Sequence, residues 1–242
     1  MKDIVCISDL HLMPERPQTM ELFIRFVDDI ASKADTLYIL VDFLEVWWGD
    51  DDPATGYADV FNSLTELTSK HKTKVYLMHG NRDFMIGQSL ADRCHFEIIQ
   101  DPHKIIINGK DALLMHGDTL CTDDVEYQKF RQMVRNPLWQ QQALSKTLEE
   151  RFQLAKSIRE SSKQTTTEKD EYIMDVNQQE TDKAFIDNHV DLIIHGHTHR
   201  PAIHHKKVNG RNTTRVVLGD WFEKGSYLRV NDSSELKLQS FK

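Results

Sequence analysis

Short runs of apolar and β-branched residues alternate with longer stretches of mixed polarity through the first third of the chain. In the longer stretches, at about residues 19–32 and 57–69, apolar residues recur three and four positions apart, which is typical of an α-helix with one buried face. The short runs are IVCIS, TLYILV and KVYLM, and they have the composition of buried strands. This alternation predicts βαβ units.

The rest of the chain has a different pattern, in which apolar runs are separated by short turns. The runs are FEIIQ, HKIIING, DALLMHG, DLIIHG, TRVVLGD and SYLRV. Asn-Gly pairs at residues 108–109 and 209–210 predict tight turns between antiparallel strands. Because the βαβ units and these hairpins must share one core, we predict an α/β fold in which two mixed sheets pack face to face and helices flank them, a four-layered αββα sandwich.

Residues 122–188 interrupt this pattern with a long polar tract of helical character. No internal repeat is visible in the chain, and the remaining strands and helices lie on both sides of the tract. We therefore predict one domain that spans residues 1–242 and contains a helical insertion at residues 122–188.

The insertion differs from the rest of the chain in charge. Between Val125 and Lys169 it has nine lysines or arginines and five acidic residues, whereas the whole chain has a net charge of −8. Apolar residues in it recur at helical spacing, as at Leu144, Leu148 and Phe152. Such an amphipathic segment either packs on the core or contacts an acyl-bearing substrate and a membrane surface, and the sequence leaves both interpretations open.

The overall composition is that of a globular protein. The chain has 242 residues, of which 39% are hydrophobic and 28% are charged. Its three cysteines, Cys6, Cys94 and Cys121, are an odd number without CxxC spacing, which argues against a disulfide framework or a zinc knuckle and favours the cytoplasm. No stretch approaches the roughly 20 apolar residues that span a bilayer, so we expect a soluble or peripheral protein. The negative net charge argues against general nucleic-acid binding.

Polar side chains that can bind metals follow five of the predicted strands, at the point where each strand ends. They are Asp9 with His11, Asp42, Asn81, His116, and His197 with His199. In α/β sheets the ligand crevice lies beyond the carboxyl ends of the strands. A single residue of this kind would more often be a helix cap or a surface group, but five strand ends with this composition predict a metal site.

The types of ligand indicate which metal chemistry to expect. Carboxylate and amide oxygens with imidazole nitrogens, and no thiolate, suit Mn²⁺, Fe²⁺ or Zn²⁺ in a catalytic role better than a structural zinc site. One carboxylate can bridge two ions, and paired ions about 3.5–4 Å apart can generate hydroxide and stabilise both sides of a displacement at phosphorus. The sequence therefore predicts phosphoester hydrolysis.

The motifs DLH, an aspartate with a glutamate three places on, GNRD, HGD and GHTH together resemble the calcineurin-like metallophosphoesterase superfamily. The resemblance extends over most of the chain and implies two bound ions. The first ion would be held by Asp9, His11, Asp42 and His199. The second would be held by Asp42, Asn81, His116 and His197, so that Asp42 bridges the two.

Segments around these motifs resemble one family in particular, the UDP-2,3-diacylglucosamine pyrophosphohydrolases of lipid A biosynthesis. The similar segments are ISDLHL followed by ERP, EVWWGDD, MHGNRDFMIG, LMHGDTLCTDD, YQKFRQMVRNP, IMDVN and IHGHTHRP. The resemblance implies hydrolysis of UDP-2,3-diacylglucosamine at its α-phosphorus, giving UMP and 2,3-diacylglucosamine 1-phosphate (lipid X). It also implies two Mn²⁺ ions per chain and a cytoplasmic protein attached peripherally to the inner membrane.

The same resemblance implies roles for further residues. Asn81, Arg82 and His116 would take part in catalysis, and the insertion would form a lid over the substrate. The residues expected near the sugar and the phosphates of the substrate are Asn81, Arg82, Asp124, Arg159, Ser162, Thr166, Lys169 and His197.

Three positions leave alternatives open. Val41 stands where the family usually has glycine before the bridging aspartate, and valine does not readily adopt the positive φ that is open to glycine. Arg82 is expected to bind a phosphate, although a salt bridge with Asp83 or another nearby carboxylate is the alternative. His195 precedes His197 by two residues and would either support the metal ligands or serve in packing only.

Two other functions compete with this interpretation. Another dinuclear-metal phosphodiesterase, acting on nucleotides or cyclic nucleotides, would use the same metal site, although a nucleic-acid channel would need basic residues interleaved with stacking aromatics. A non-catalytic scaffold of the same fold would be expected to lack metal ligands, whereas every ligand position is filled here. Hydrolysis of a lipid-linked diphosphate, compared with that of a cyclic nucleotide, separates these functions.

Overall fold

The computed structural model describes residues 3–167, 175–231 and 235–242, apart from the side chains of residues 159–167. Eleven strands form in these ranges: β1 (Ile4–Ile7), β2 (Thr36–Leu40), β3 (Lys74–Met78), β4 (Glu97–Ile99), β5 (His103–Ile107), β6 (Lys110–Met115), β7 (Leu192–His195), β8 (Ala202–Val208), β9 (Arg211–Val217), β10 (Gly225–Val230) and β11 (Lys237–Phe241). The α-helices of the same ranges are α1 (Pro17–Asp29), α2 (Ala58–Ser69), α3 (Gln88–Cys94), α4 (Val125–Val134), α5 (Pro137–Leu144), α6 (Leu148–Thr167) and α7 (Gln178–Asn188).

The strands form two mixed sheets, as predicted. The first has the order β11-β10-β1-β2-β3-β4, in which β1 to β4 are parallel and β10 and β11 are antiparallel additions. The second has the order β5-β6-β7-β9-β8, with a parallel centre and one antiparallel strand at each edge. The parallel part of the first sheet confirms the βαβ units expected from the first third of the chain.

Two hairpins close at the Asn-Gly pairs. Asn108 and Gly109 have φ angles of 54° and 76° between β5 and β6, and Asn209 and Gly210 have φ angles of 48° and 77° between β8 and β9. Positive φ at both central residues is the conformation of a type I′ turn, whose twist matches that of the flanking strands. The turn predictions are therefore confirmed.

Side chains on the two faces of each sheet enter different cores. Val5 and Ile7 of β1 pack in a core shared with α1, α2 and α3, whereas Cys6 packs in the core between the two sheets. On the outer face of the second sheet, Ile193 of β7 packs in a third core with Phe185 of α7. The layers are helices, sheet, sheet and helix, which confirms the four-layered αββα sandwich.

The residues of the predicted insertion, 122–188, divide into two parts. Helix α7 belongs to the third core and is therefore a layer of the sandwich. Helices α4, α5 and α6, called the insertion helices below, lie against the loops that follow β2, β3 and β6. Asn136 caps α5 and Pro137 begins it, so the polar tract is broken into separate helices rather than forming one.

No helix in the described part of the chain combines the length and the apolar character needed to cross a membrane.

Candidate metal centre and adjoining pocket

Loops after β1, β2, β3, β6 and β7 carry the predicted metal ligands, and those of the first ion lie in one cluster. Asp9 Oδ1 is 3.3 Å from His199 Nε2, and His11 Nε2 is 3.8 Å from Asp42 Oδ2. Ligand atoms of Asp9, His11 and His199 all lie within 4.8 Å of one another. These atoms are close enough to share one cation.

The residues predicted to hold the second ion also meet. The rings of His116 and His197 have centroids 4.6 Å apart. Asp42 Oδ1 accepts a hydrogen bond of 2.9 Å from the backbone N–H of Arg82, so the loop that carries Asn81 lies against Asp42. Asp42 therefore contacts both groups of predicted ligands, as a bridging carboxylate must.

Five of the seven predicted ligands have left-handed backbone conformations. Their φ angles are 55° at Asp9, 49° at His11, 42° at Asp42, 71° at His197 and 54° at His199. Residues other than glycine rarely adopt such angles, and each costs on the order of 1 kcal/mol that the surrounding structure must offset. Backbone strain of this kind concentrates at functional sites, where the direction of the side chain decides the conformation.

Val41 has a φ of 89° immediately before Asp42. Valine thus adopts here the positive φ that it does not readily take, and the turn before Asp42 forms at the cost of backbone strain. Val41 is fully buried in the core between the sheets, and its carbonyl oxygen accepts a hydrogen bond of 3.1 Å from the N–H of Asp9. Burial and this hydrogen bond hold a β-branched residue in a strained conformation.

Two carboxylates orient ligand histidines. Glu45 Oε2 lies 2.9 Å from His11 Nδ1, and Asp118 Oδ2 lies 3.0 Å from His116 Nδ1. Each ring therefore keeps its Nε2 atom for the centre, and partners of this kind fix the tautomer and direction of a metal-binding imidazole. Sequence reasoning assigned neither carboxylate a role, although Glu45 is the glutamate three places after Asp42 and Asp118 is the aspartate of HGD.

Buried polar atoms at the centre fit bound cations. His11 Nε2, His116 Nε2 and Asn81 Oδ1 are buried and have no hydrogen-bond partner within the described ranges. Because buried polar atoms are nearly always satisfied, three of them at one place point to a cation as their partner. The donors are oxygen and nitrogen, and all three cysteines are buried, with Cys6 in the core between the sheets. Such a donor set suits a divalent cation in a catalytic role.

The charges at the centre also favour cation binding. Burial by itself would raise the pKa of Asp9, but the hydrogen bond and charge of His199, with His11, lower that pKa to about 2. Burial would lower the pKa of His116, but the neighbouring Asp118 raises it to about 8. Burial and the charge of His116 lower the pKa of His197 to about 4. At neutral pH, Asp9 is therefore ionised and His197 neutral, the forms that bind metals, whereas His116 holds a proton that it must release when an ion binds.

A second acidic cluster beside the centre is already neutralised by an arginine. Ligand atoms of Asp101, His116 and Asp118 also lie within 4.8 Å of one another. However, Arg131 Nε of α4 donates to Asp118 Oδ2 at 2.8 Å, and Arg131 Nη2 lies 3.6 Å from Asp101 Oδ2. The guanidinium supplies the positive charge, so we assign no additional ion to this cluster.

An apolar pocket of about 390 Å³ opens beside the metal centre. Its polar lining includes Glu45, Asn81, Arg82 and Tyr127. Its apolar walls include Trp47, Trp48, Phe84, Phe130, Trp139, Phe152, Leu154 and Ile158, so that all three insertion helices contribute. A pocket with this lining suits an apolar ligand that also carries polar groups.

Arg82 lies where the pocket meets the metal centre. Its Nε atom is buried without a hydrogen-bond partner in the described part of the chain. Asp83 accepts hydrogen bonds from the backbone N–H groups of Gly80 and Phe43 at 2.8 and 2.7 Å, and the alternative salt bridge between Arg82 and Asp83 is not formed. Asp83 thus joins the loops after β2 and β3, and the Arg82 guanidinium remains available for an anion.

The structure describes only some of the residues predicted near the substrate. Asp124 is the N-cap of α4, where its Oδ1 accepts a hydrogen bond of 3.0 Å from the N–H of Tyr127. Arg159, Ser162 and Thr166 belong to α6, but their side chains are outside the described part of the chain, as is the whole of Lys169. Substrate binding by these residues stays a prediction.

His195 packs against the loops that carry the predicted ligands His116 and His197. It is fully buried, its Nδ1 lies 2.9 Å from the carbonyl oxygen of Gly196, and its Nε2 lies 3.0 Å from Arg215 Nη1. Burial and the charge of Arg215 lower its pKa to about 3, so the ring is neutral. Since Arg215 must donate, Nε2 accepts and Nδ1 carries the proton. A Cβ at Gly117 would lie 2.7 Å from Nδ1, so the ring also packs under the loop of His116. These contacts favour the supporting role.

Known proteins resemble this chain in sequence and in fold. The family model of calcineurin-like phosphoesterases matches residues 2–201. Relatives named UDP-2,3-diacylglucosamine hydrolase are 46% identical in Stenotrophomonas maltophilia, over 93% of each chain, and 44% identical in Azotobacter vinelandii, over 94% of each chain. A solved structure of a novel archaeal phosphodiesterase is 14% identical and gives a TM-score of 0.51 over 99% of each chain, a likeness in fold alone. Similarity of this extent over nearly the whole length means that the chain belongs to the calcineurin-like phosphoesterase family.

Proposed function

We propose that this protein hydrolyses the pyrophosphate bond of UDP-2,3-diacylglucosamine by attack of water at the α-phosphorus, releasing UMP and 2,3-diacylglucosamine 1-phosphate in lipid A biosynthesis. The observation that carries the proposal is the apolar pocket that opens directly beside Asn81 and Arg82 of the metal centre. A substrate with both a diphosphate and acyl chains matches this combination. The relatives at 44–46% identity, which are named UDP-2,3-diacylglucosamine hydrolase, support the same substrate.

The proposed cofactor is a pair of Mn²⁺ ions, with Asp42 shared between them. When bound, such ions supply hydroxide at neutral pH and offset negative charge on the phosphoryl oxygens. The donor set of carboxylates, one amide oxygen and imidazoles supports Mn²⁺, although Fe²⁺ and Zn²⁺ also accept these donors. Metal analysis and reconstitution with each ion in turn will identify the physiological metal.

In this proposal the protein's own side chains position the diphosphate. The Arg82 guanidinium donates to two oxygens of one phosphate and offsets the charge that develops during the displacement. Asn81 and His197 contact the same phosphate, and Asp118 keeps His116 in the orientation that its part in catalysis requires. The insertion helices act as a lid, and Asp124, Arg159, Ser162, Thr166 and Lys169 bind the sugar and the phosphates.

The proposed location is the cytoplasm, at the surface of the inner membrane. Large apolar side chains are exposed on the insertion helices, namely Val125, Met133, Leu138, Leu144 and Phe152. Exposed apolar residues close to a lipid-binding pocket favour contact with a bilayer, from which the substrate would enter. Serine at Met133 and Leu138 should reduce cosedimentation with phospholipid vesicles, whereas Ile106→Ser, which changes an exposed residue of β5, should not.

The proposed reaction is tested directly with purified protein and UDP-2,3-diacylglucosamine in detergent micelles. UMP release should require added Mn²⁺ and stop with a chelator. In water enriched in heavy oxygen, the label should enter UMP and not the lipid phosphate, because attack is at the α-phosphorus. Turnover of a cyclic nucleotide with no turnover of the lipid substrate would favour the competing phosphodiesterase. No hydrolysis of any phosphodiester by folded, metal-loaded protein would indicate a scaffold.

A further inference from the structure

Helix α4 and its C-cap residue direct three side chains, spaced four residues apart, toward the loops of the metal centre. They are Tyr127, Arg131 and Arg135, and each donates a hydrogen bond to a group next to a predicted ligand. We propose that Arg131 and Arg135 are positioning residues that together set the site of the second ion, the one predicted to be held by Asn81, His116 and His197. The inference rests on the proposed function only in taking these loops as the reaction site.

Arg131 acts on His116 through two carboxylates. Asp118 Oδ2 accepts from Arg131 Nε at 2.8 Å and lies 3.0 Å from His116 Nδ1. Asp101 Oδ1 accepts from the backbone N–H of His116 at 3.0 Å, while its Oδ2 lies 3.6 Å from Arg131 Nη2. One guanidinium therefore lies between both carboxylates that hold the ring and the backbone of His116 and offsets part of their charge. Without it, two largely buried like charges would lie side by side, which is unfavourable.

Arg135 acts on the loop of Asn81. Its Nη2 donates to the carbonyl oxygens of His79 and Gly80 at 2.9 and 2.8 Å, directly before Asn81. On its other side Gly80 lies close against Asp42, since a Cβ there would be 2.0 Å from Asp42 Oδ1 and no side chain would fit. The backbone of Gly80 is thus held between Arg135 on one side and the bridging carboxylate on the other. This contact fixes the distance between Asn81 and Asp42.

The two arginines act on different sheets. The loop of Asn81 follows β3 of the first sheet, and the loop of His116 follows β6 of the second. Helix α4 is therefore a rigid link between the two halves of the second ion site. The same helix forms part of the pocket wall through Tyr127 and Phe130. Helix α4 therefore determines both part of the pocket wall and the geometry of the second ion site.

The test compares Mn²⁺ binding by equilibrium dialysis in Arg131→Lys, Arg131→Gln, Arg135→Ala and Arg135→Lys. His116→Ala and His199→Ala serve as references for loss of the second and the first ion. Each arginine variant should weaken only one of the two binding steps, by about 10–100-fold, as expected for residues that orient ligands. Its isotherm should resemble that of His116→Ala and not that of His199→Ala. Lysine should restore part of the loss at either position, since it retains the charge and one donor.

Activity provides a second readout that does not depend on the lipid substrate. With bis-p-nitrophenyl phosphate, the arginine variants should lose kcat by about 10–100-fold while KM changes by less than about threefold. Lys129→Ala is the matched control, because this exposed lysine of α4 pairs with Glu126. If wild-type protein cleaves the diester but not UDP-2,3-diacylglucosamine, the proposed substrate is wrong while this inference is still tested.

Three results would overturn the inference. Folded arginine variants that bind both ions with wild-type affinity would show that α4 does not set the second site. Equal weakening of both ions, together with a lower Tm, would show a general structural role. Loss of folding in both Arg135 variants, judged by circular dichroism, would lead to the same conclusion.

Discussion

Glu45 Oε2 lies 2.9 Å from Nδ1 of His11, and Oδ2 of Asp42, the residue predicted to bridge the two ions, lies 3.8 Å from Nε2 of the same ring. Both side chains are largely buried, and Arg16 Nη2 lies 3.5 Å from the same carboxylate oxygen. The carboxylate therefore has a fixed position, and it determines which nitrogen of His11 faces the metal centre.

Replacing Glu45 with alanine should weaken the ion held by Asp9, His11 and His199 by about 10–100-fold, because His11 loses the partner that orients it. Equilibrium dialysis with Mn²⁺ measures the change, and Glu21→Ala, at an exposed position of α1, is the control. Wild-type affinity for both ions in Glu45→Ala would mean that the contact has no effect on the metal.

Serine at Phe152 or Ile158 should reduce hydrolysis of the lipid substrate while hydrolysis of a small diester changes by less than about twofold. Both side chains line the pocket, and burial of one large apolar side chain stabilises by about 1.5–3 kcal/mol, which corresponds to about 10–100-fold in kcat/KM. Binding energy from the acyl chains contributes to positioning the diphosphate, and a small diester has no such chains.

The matched control for the pocket is Ile186→Ser, which changes an exposed apolar residue of α7. Thermal unfolding must accompany the kinetics. Equal loss of both activities with a lower Tm would mean that Phe152 and Ile158 serve only in packing. Leu148, which the sequence pattern groups with Phe152, does not line the pocket and should matter less.

Glycine at Val41 should be less destabilising than alanine, by about 1 kcal/mol. Both variants leave a cavity at this buried position, slightly larger with glycine, but alanine keeps the cost of a positive φ whereas glycine removes it. The usual order is the reverse, since glycine within regular structure is about 0.5–1 kcal/mol less stable than alanine. Urea unfolding of both variants gives the two free energies.

Val75, buried in β3, provides the comparison for Val41. At Val75 the alanine variant should be more stable than the glycine variant, which is the usual order. If the alanine variant is also the more stable one at Val41, the valine is not strained in solution.

Two buried neutral histidines should make the protein less stable in mild acid. Burial and the charge of Arg135 lower the pKa of His79 to about 4, and the pKa of His195 is lowered to about 3. In the unfolded chain both pKa values are about 6.5. Below that pH the unfolded chain therefore binds protons that the folded chain does not, and stability is lost as pH falls from about 6.5 toward about 4, by up to about 1.4 kcal/mol per pH unit for each ring.

Urea unfolding in a chelator at several pH values measures this slope. His79→Gln retains a donor for the carbonyl oxygen of Ile86 and should reduce the slope in that window, whereas His71→Gln, at an exposed position, is the control. A slope in His79→Gln equal to that of wild type would show that His79 is not neutral in the folded protein.

The sequence by itself determined most of the strands, the tight turns and the types of metal ligand, because these depend on local signals. KVYLM corresponds to β3 residue for residue, and Asn108 with Gly109 forms the expected turn. A two-residue periodicity and the φ preferences of Asn-Gly act over a few neighbouring residues. The sequence pattern did not predict strand β8, because four consecutive residues, from His204 to Lys207, are exposed at a sheet edge and lack alternation.

Only the tertiary structure decided what the basic residues of the insertion do. The charge count predicts a basic surface, but Arg131, Arg135 and Arg151 point inward. Their partners, Asp118, Gly80 and Asp51, are 13, 55 and 100 residues away in the chain. A basic side chain on a helix can extend into solvent or reach an acceptor elsewhere in the protein. The same spacing along the sequence fits both cases, so no periodic pattern distinguishes them.

The backbone at the metal ligands was likewise decided by long-range contacts. An intrinsic preference against positive φ amounts to on the order of 1 kcal/mol at residues such as Asp9 and His197. The N–H of His197 donates to both carboxylate oxygens of Asp9 at 3.1 Å, across 188 residues of sequence. Hydrogen bonds to a buried charge stabilise by about 1.5–3 kcal/mol, which exceeds the local preference. The fold therefore imposes the left-handed conformations that the residues alone disfavour.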